Sequence, residues 1–142
     1  MRLAAAPSAR DVLRAQRRID GLVRETPLLG LAGGGGLVKL ENLQHTGAYK
    51  LRGAGNAILS QLEAGDQRPV LVASAGNHAA GAAWAAKHCG LSAHALVPRG
   101  TPESKIHRSR SCGAEVQVVG DSFDQAAALA PGVAARLGCR YL

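Results

Sequence analysis

Apolar side chains recur every three or four positions over residues 8–23, with arginines on the opposite side. This spacing predicts an amphipathic helix, which we expect to end at Thr26-Pro27 because a residue before proline avoids the helical conformation. The apolar face consists of Val12, Leu13, Gln16, Ile19 and Val23. Residues 37–41 then alternate between apolar and polar side chains, which predicts a short strand. The four glycines at 33–36 before it predict a flexible turn.

The rest of the chain alternates between helix and strand patterns. Residues 46–62 predict a helix with Thr46 as its N-cap. We expect strands at 70–73, 92–97 and 115–119 and a last strand from Cys139. The helices between them are expected at 77–89, after Thr101-Pro102-Glu103, and after a Ser122/Gln125 capping box. Pro131-Gly132 is expected to interrupt the last of these helices. This order predicts an α/β fold, a three-layer parallel sheet built from Rossmann-like βαβ units.

Composition and charge narrow the function classes. The 142 residues suffice for one compact domain, and the +7 charge alone would allow a nucleic-acid-binding protein. However, the basic residues are scattered and aromatics make up only 3% of the chain, which argues against nucleic acid as a partner. Three isolated cysteines predict no zinc site. No apolar run is long enough for a membrane span or signal peptide, so we expect a cytoplasmic protein without a membrane partner.

The first candidate for chemistry is Lys50, within the segment KLENLQHTGAYKLRGA at residues 39–54. Lys50 falls in the first turn of the predicted helix, where the helix dipole disfavours a cation. Burial and the dipole would both favour the neutral amine, which is the form that attacks an aldehyde. Gly47 and Gly53 would let the backbone approach a flat ring closely. Taken alone, however, a lysine at a helix start is usually a solvated surface group.

The second candidate is Ser74-Ala75-Gly76-Asn77-His78, which follows a predicted strand and opens a predicted helix. Such a turn directs several backbone N–H groups at one point and suits a carboxylate or phosphate. In open α/β sheets, ligands bind at the carboxyl ends of the strands, where this segment lies. The alternative is that Ser74 and Asn77 only cap the helix.

Together the two segments resemble the PLP-dependent serine/threonine dehydratases, enzymes of the tryptophan-synthase-β-like fold (fold type II). Further matches to that family follow in order along the chain: Thr26-Pro27-Leu28, Val97-Pro98, Thr101-Pro102, Lys105 and residues 113–116. The resemblance covers the N-terminal part of such an enzyme. It implies that residues 1–52 belong to the large domain with the PLP-lysine segment and that residues 53–142 form most of the small α/β domain. The remainder of the large domain is expected to be absent.

The resemblance also implies a role for each site residue. Lys50 would bind pyridoxal 5'-phosphate (PLP) as an internal aldimine and later exchange a proton with the substrate α-carbon. Tyr49 would pack beside the cofactor ring, and Asn77 would hydrogen-bond the 3'-oxygen of the ring. The carboxylate of the substrate would be held by Ser74, Ala75, Gly76, Asn77 and His78. The expected reaction is that of an ammonia-lyase, which converts a small amino acid, L-threonine or L-serine, to a 2-oxo acid and ammonia.

Two details separate branches of the family. Cysteine and threonine synthases typically have Lys-Asp-Arg where this chain has Lys50-Leu51-Arg52. Serine racemases usually have a serine, the acid/base on the opposite face, where Ala75 stands, so alanine favours dehydration over racemisation. A serine racemase-like enzyme stays an alternative.

The truncation itself leaves two further possibilities open. Without the rest of the large domain, the chain is expected to be inactive unless a complementing chain completes it. A homo-oligomer is also possible. The alternative from another class is a non-catalytic α/β remnant that binds a small anion or a partner.

Overall fold

The computed structural model describes residues 6–142, so most of the N-terminal run considered for a signal peptide lies outside the described residues. The helices are α1 (Ala9–Arg18), α2 (Lys50–Glu63), α3 (Asn77–His88), α4 (Glu103–Ser111) and α5 (Phe123–Leu137), with a 3-10 helix at Glu41–Leu43. The strands are β1 (Leu28–Gly30), β2 (Leu37–Lys39), β3 (Val70–Ala73), β4 (Ala93–Val97), β5 (Ala114–Val118) and β6 (Arg140–Tyr141). Within the described part, no helix is long and apolar enough to cross a membrane.

The main sheet has four parallel strands in the order β5-β4-β3-β6, with helices on both of its faces. This confirms the predicted three-layer α/β fold. The central strand β3 is buried at all four positions, as expected for a parallel strand covered on both faces. Its neighbour β4 is also largely buried, whereas most side chains of β5, at the edge, are partly or fully exposed.

The two faces of the sheet pack against different helices because successive side chains of a strand point to opposite sides. Val70, Val72 and Ala95 join the core cluster that includes the alanines of α3 and the apolar face of α2. Leu71, Ala73 and Leu96 pack instead with α5 residues. The carboxyl end of β3 therefore leads directly into the start of α3, on the face where α2 also lies.

The N-terminal region differs from the sequence prediction. Helix α1 ends at Arg18, five residues before Val23, and Gly21 follows with a φ of 78°. Its predicted apolar face is uncovered within the helix, with Val12 59% and Leu13 55% exposed, whereas Ile19, directly after the helix, is buried. Strand β1 was not predicted, and it pairs with β2 in an antiparallel hairpin across the glycine turn. Strand β2 ends at Lys39 rather than at residue 41.

The helix caps show further corrections. Thr46 is not the N-cap of α2, which begins at Lys50, and the buried Thr46 hydroxyl has no hydrogen-bond partner among the described residues. Thr101 donates its hydroxyl to the Pro98 carbonyl instead of capping α4. Ser122 does accept from the Gln125 N–H, as predicted, but the Gln125 side chain accepts from the N–H of Asp121.

Pro131 does not interrupt α5, contrary to the prediction. A proline inside a helix removes one backbone hydrogen bond and usually breaks or kinks the helix. Here the residues on both sides of it, Ala130, Val133 and Ala134, are buried, and they pack against the sheet in one cluster. Burial of this apolar face outweighs the missing hydrogen bond and keeps the helix continuous.

A glycine sets the distance between α2 and α3. A Cβ atom on Gly81 would lie only 3.1 Å from the backbone nitrogen of Leu51 and 3.2 Å from the carbonyl carbon of Lys50. Backbone atoms at that distance cannot move aside as the end of a flexible side chain can. Gly81 therefore allows the first turn of α2 to lie against α3.

We expect Gly81→Ala to be less stable to urea than Gly53→Ala by about 1–3 kcal/mol, because the added methyl group overpacks the contact with α2. Gly53 is the matched control, since it lies inside α2 and a Cβ there meets no atom within 4 Å. Equal free energies of unfolding for the two variants would contradict the close approach.

Candidate active site

Lys50 is the first residue of α2, as the sequence predicted for the first turn of this helix. Its amine lies 5.1 Å from the centroid of the Tyr49 ring, and both side chains are exposed. The burial expected for Lys50 is not observed, because no described segment covers this end of α2. The lysine is therefore accessible to a ligand, with an aromatic ring beside it.

A network of motif residues holds the segment before Lys50 against α2. Arg52 makes a paired interaction with Glu41, with Nε–Oε2 at 2.9 Å and Nη2–Oε1 at 2.7 Å. The Thr26 hydroxyl donates to the same carboxylate. The hydrogen bonds from Arg52 lower the pKa of Glu41, and the one from Thr26 lowers it further, although partial burial opposes them. These hydrogen bonds tie Thr26 and Glu41 to the first turn of α2, next to Lys50.

Gln44 fastens the same segment to the chain that follows α1. Its Oε1 accepts from the Arg24 N–H at 2.9 Å, and its Nε2 donates to the Arg24 carbonyl at 3.0 Å. The side chain is only 3% exposed, so these backbone partners satisfy an otherwise costly buried amide. The glutamine of the sequence motif is therefore a structural residue.

The segment Ser74–His78 forms the turn between β3 and α3. Ser74 Oγ accepts from the Gly76 N–H at 3.2 Å and does not cap the helix, and Asn77 does not cap it either. The alternative that these two residues are helix caps is therefore wrong. The first N–H groups of α3 have no partner within the helix, so they are available to an anion. Gly76 and Asn77 are exposed at this turn.

The structure brings the two predicted segments together. Arg108 of α4 donates from Nη1 to Asn77 Oδ1 at 3.0 Å and from Nη2 to the Thr46 carbonyl, four residues before Lys50. Burial lowers the pKa of His78, and the positive charge of Lys50 lowers it further. The His78 imidazole is therefore neutral at neutral pH.

A small cleft of about 260 Å³ opens between the turn after β3 and α4. Its lining residues are Ala75, Gly76, Asn77, Lys105, Arg108 and Ser109. Sequence reasoning missed Arg108 as a site residue because nothing in its local sequence marks it. Only the packing of α4 beside α3 brings its guanidinium to both motifs.

These groups fit the chemistry of PLP. An accessible primary amine can bond to the aldehyde of the cofactor, and the exposed amide of Asn77 can hydrogen-bond a ring oxygen. Uncapped N–H groups at the start of α3 suit a carboxylate. Within the described part, Lys50 is the one lysine that begins a helix.

Comparisons with known proteins agree with this chemistry. Residues 19–142 match the model of the family described as pyridoxal-phosphate dependent enzyme. The chain is 43% identical over 122 residues to an L-threonine ammonia-lyase of Thermotoga maritima, an alignment that covers 82% of this chain and 30% of the relative. It is 46% identical over 92 residues to an L-threonine ammonia-lyase of Geobacter sulfurreducens, covering 65% of this chain and 23% of the relative.

Solved structures show the same fold. Maize serine racemase superimposes with a TM-score of 0.87 at 30% identity, covering 96% of this chain and 44% of that one. The processed form of threonine deaminase isoform 2 from Solanum lycopersicum gives 0.81 at 28% identity, covering 99% and 44%. The chain thus spans less than half the length of these relatives. With most of its length matched by the family model, the chain belongs to the pyridoxal-phosphate dependent enzymes, whose cofactor is PLP.

Proposed function

We propose that the chain is the N-terminal part of an ammonia-lyase that dehydrates L-threonine or L-serine to a 2-oxo acid and ammonia. The observation that carries the proposal is the position of Lys50, exposed at the first residue of α2, whose backbone packs against α3 near the uncapped start of that helix. The relatives named L-threonine ammonia-lyase support the choice of reaction.

Lys50 is proposed both to hold the cofactor and to move the α-proton of the substrate. When bound, PLP accepts the electron pair left at the α-carbon, which is the chemistry that a protein side chain cannot supply. The Lys50 amine would take the α-proton, and the β-hydroxyl group would leave with that proton as water. Hydrolysis of the resulting enamine would then consume one water and release the 2-oxo acid and ammonia. Tyr49, with its ring beside the amine, is placed to pack against the cofactor.

The turn Ser74–His78 is proposed to hold the carboxylate of the substrate. The backbone N–H groups at the start of α3 point out of the helix end, where the dipole favours a negative charge. Gly76 and Ala75 carry little or no side chain, so an amino acid can approach this backbone closely. His78, half-buried and neutral, adds a polar group without a competing charge.

A racemase is the second candidate, favoured by the similarity to maize serine racemase. Residue 75 is the discriminating position, because the family's racemases usually have a serine hydroxyl there. Ala75 lines the cleft next to Asn77 and cannot exchange a proton with the substrate. This supports elimination over inversion of the α-carbon.

Location and assembly belong to the same proposal. We propose a cytoplasmic protein, which is consistent with Cys89, Cys112 and Cys139 all being free thiols. We also propose that the chain can assemble as a homo-oligomer or with a complementing chain. The division into residues 1–52 and 53–142 is retained as a prediction, although the boundary lies inside the continuous helix α2.

The test is incubation of the purified chain with PLP, followed by borohydride reduction and peptide mass mapping. We expect selective label on Lys50, and less label when L-threonine or L-serine is present to take its place on the cofactor. Products are measured in parallel: ammonia and 2-oxo acid in equal amounts indicate dehydration, and D-serine without ammonia indicates a racemase. If neither selective label nor product is found, the proposed reaction is wrong and the chain is a non-catalytic α/β remnant.

We expect the isolated chain to be labelled but to release no product. A cofactor that contacts only part of its binding site lacks the orientation and the electrostatic stabilisation that the whole site provides. Turnover by the isolated chain would contradict this expectation while supporting the proposed reaction.

A further inference from the structure

Arg108 connects the two segments of the candidate site from a third element. Its guanidinium extends from α4 and donates to Asn77 Oδ1 at 3.0 Å and to the Thr46 carbonyl. The same group lies 3.6 Å from the position that a Cβ on Gly47 would occupy. It is therefore packed against the turn that leads into Lys50.

The chemistry of the guanidinium dictates which end of the Asn77 amide it faces. Arginine has five N–H donors and no acceptor, so only the amide oxygen of Asn77 can pair with it. The Asn77 nitrogen, with its two hydrogens, is then directed away from Arg108. An amide held in this orientation presents a donor, rather than an acceptor, to a ligand in front of α3.

We infer that Arg108 is a positioning residue, which fixes Asn77 so that its amide nitrogen can donate to the 3'-oxygen of PLP. The inference rests on the proposed function for the identity of the ligand. The orientation of Asn77 itself follows only from the contact with Arg108. Without that contact, the exposed Asn77 side chain would be free to rotate and to present either end of its amide.

The planar fork of arginine suits this role better than lysine would. Two nitrogens of one guanidinium reach Asn77 and the Thr46 carbonyl at the same time, which ties α4, the turn before Lys50 and the start of α3 together. A lysine ammonium is a compact charge on a flexible stem and cannot reproduce this geometry. Arg108→Lys is therefore expected to restore the position of Asn77 only in part.

The first test needs no cofactor. The chain has three asparagines, and isotope labelling of asparagine alone reports the motion of each side-chain amide by NMR relaxation. Asn56 is an internal reference, because its Oδ1 accepts from Arg18 at 2.8 Å. We expect Asn77 to be as restrained as Asn56 in the natural sequence and to become mobile in Arg108→Met, with Arg108→Lys in between.

Arg110→Met is the matched control. Arg110 lies on the same helix and is similarly exposed, but its contact is with Glu103 at 3.5 Å. This variant should leave Asn77 restrained. If Asn77 moves equally in the natural chain and in Arg108→Met, the inference is wrong, whatever the chain does with PLP.

The second test measures PLP binding by the change in its absorbance spectrum. Loss of the contact should weaken binding by about tenfold in Arg108→Met, a change of about 1.4 kcal/mol, and should shift the spectrum of the bound cofactor. Arg110→Met should leave both unchanged. Unchanged affinity and spectrum in Arg108→Met would overturn the link to the cofactor. If the natural chain binds no PLP, the proposed function fails, and the asparagine experiment alone still decides the role of Arg108.

Discussion

Lys50→Ala is expected to abolish covalent attachment of PLP to the chain. The reason is chemical: only a primary amine forms the reducible bond to the cofactor aldehyde, and alanine offers none. Of the four lysines, Lys50 alone stands at the first residue of a helix beside the turn Ser74–His78. Borohydride reduction followed by mass mapping should show full loss of specific label, with the thermal stability unchanged because Lys50 is exposed.

Lys105→Ala is the control for this experiment. Lys105 lines the small cleft next to Asn77, so it is the lysine most able to compete for a cofactor bound there. We expect this variant to keep its label on Lys50. Label that persists in Lys50→Ala and disappears in Lys105→Ala would reassign the cofactor to α4 and would overturn the proposed active site.

The second half of the fold could be predicted from the sequence because its signals are strong and local. Strand β3 agrees with the prediction at both ends, and β4, β5 and α3 differ by only one residue at either end. Strands β3 and β4 and helix α3 are apolar and largely buried in the two clusters on the faces of the sheet, so pattern and packing point to the same structure. Pro131 is the exception, since its breaking effect is local while the burial that overrides it is tertiary.

The N-terminal part was harder to predict because most of the apolar side chains in α1 and in the β1–β2 hairpin are exposed. The hairpin residues Leu28, Leu29 and Leu37 are all more than half exposed, so periodicity there does not report packing. Helix α1 has no buried residue and depends on the Ser8/Asp11 capping box at its start. The periodicity of apolar residues predicts burial poorly where no other element covers the apolar face.

The reactive residues of the candidate site could be predicted from residue types, whereas the hydrogen bonds that position them could not. Lys50 and the turn Ser74–His78 stood out because each combines a reactive or open backbone group with a helix start. The bond of Arg52 to Glu41 spans eleven residues, and that of Arg108 to Thr46 spans sixty-two. Contacts at such separations arise from the packing of α2, α3 and α4, which no local pattern encodes.

The largest loss of stability is expected for Leu51→Ala. Leu51 follows Lys50 in α2, is fully buried and packs in the cluster that contains Ala79, Ala82 and Ala83 of α3. Removing its side chain leaves a cavity in this interface, and the backbone cannot close it easily because Gly81 already brings the helices into contact. We expect the free energy of unfolding in urea to fall by about 2–5 kcal/mol.

Leu59→Ala is the matched control, since Leu59 lies on the same helix but is only half-buried, so this substitution should lower the free energy of unfolding clearly less.

The Leu51→Ala variant should also affect the active site. Because Leu51 anchors the first turn of α2, the variant should label less efficiently with PLP near its melting temperature, while the label that forms still maps to Lys50. Equal losses of stability in Leu51→Ala and Leu59→Ala would contradict this anchoring. The rigidity of the Lys50 turn would then have to come from the hydrogen bonds of the Glu41–Arg52 pair, Gln44 and Arg108.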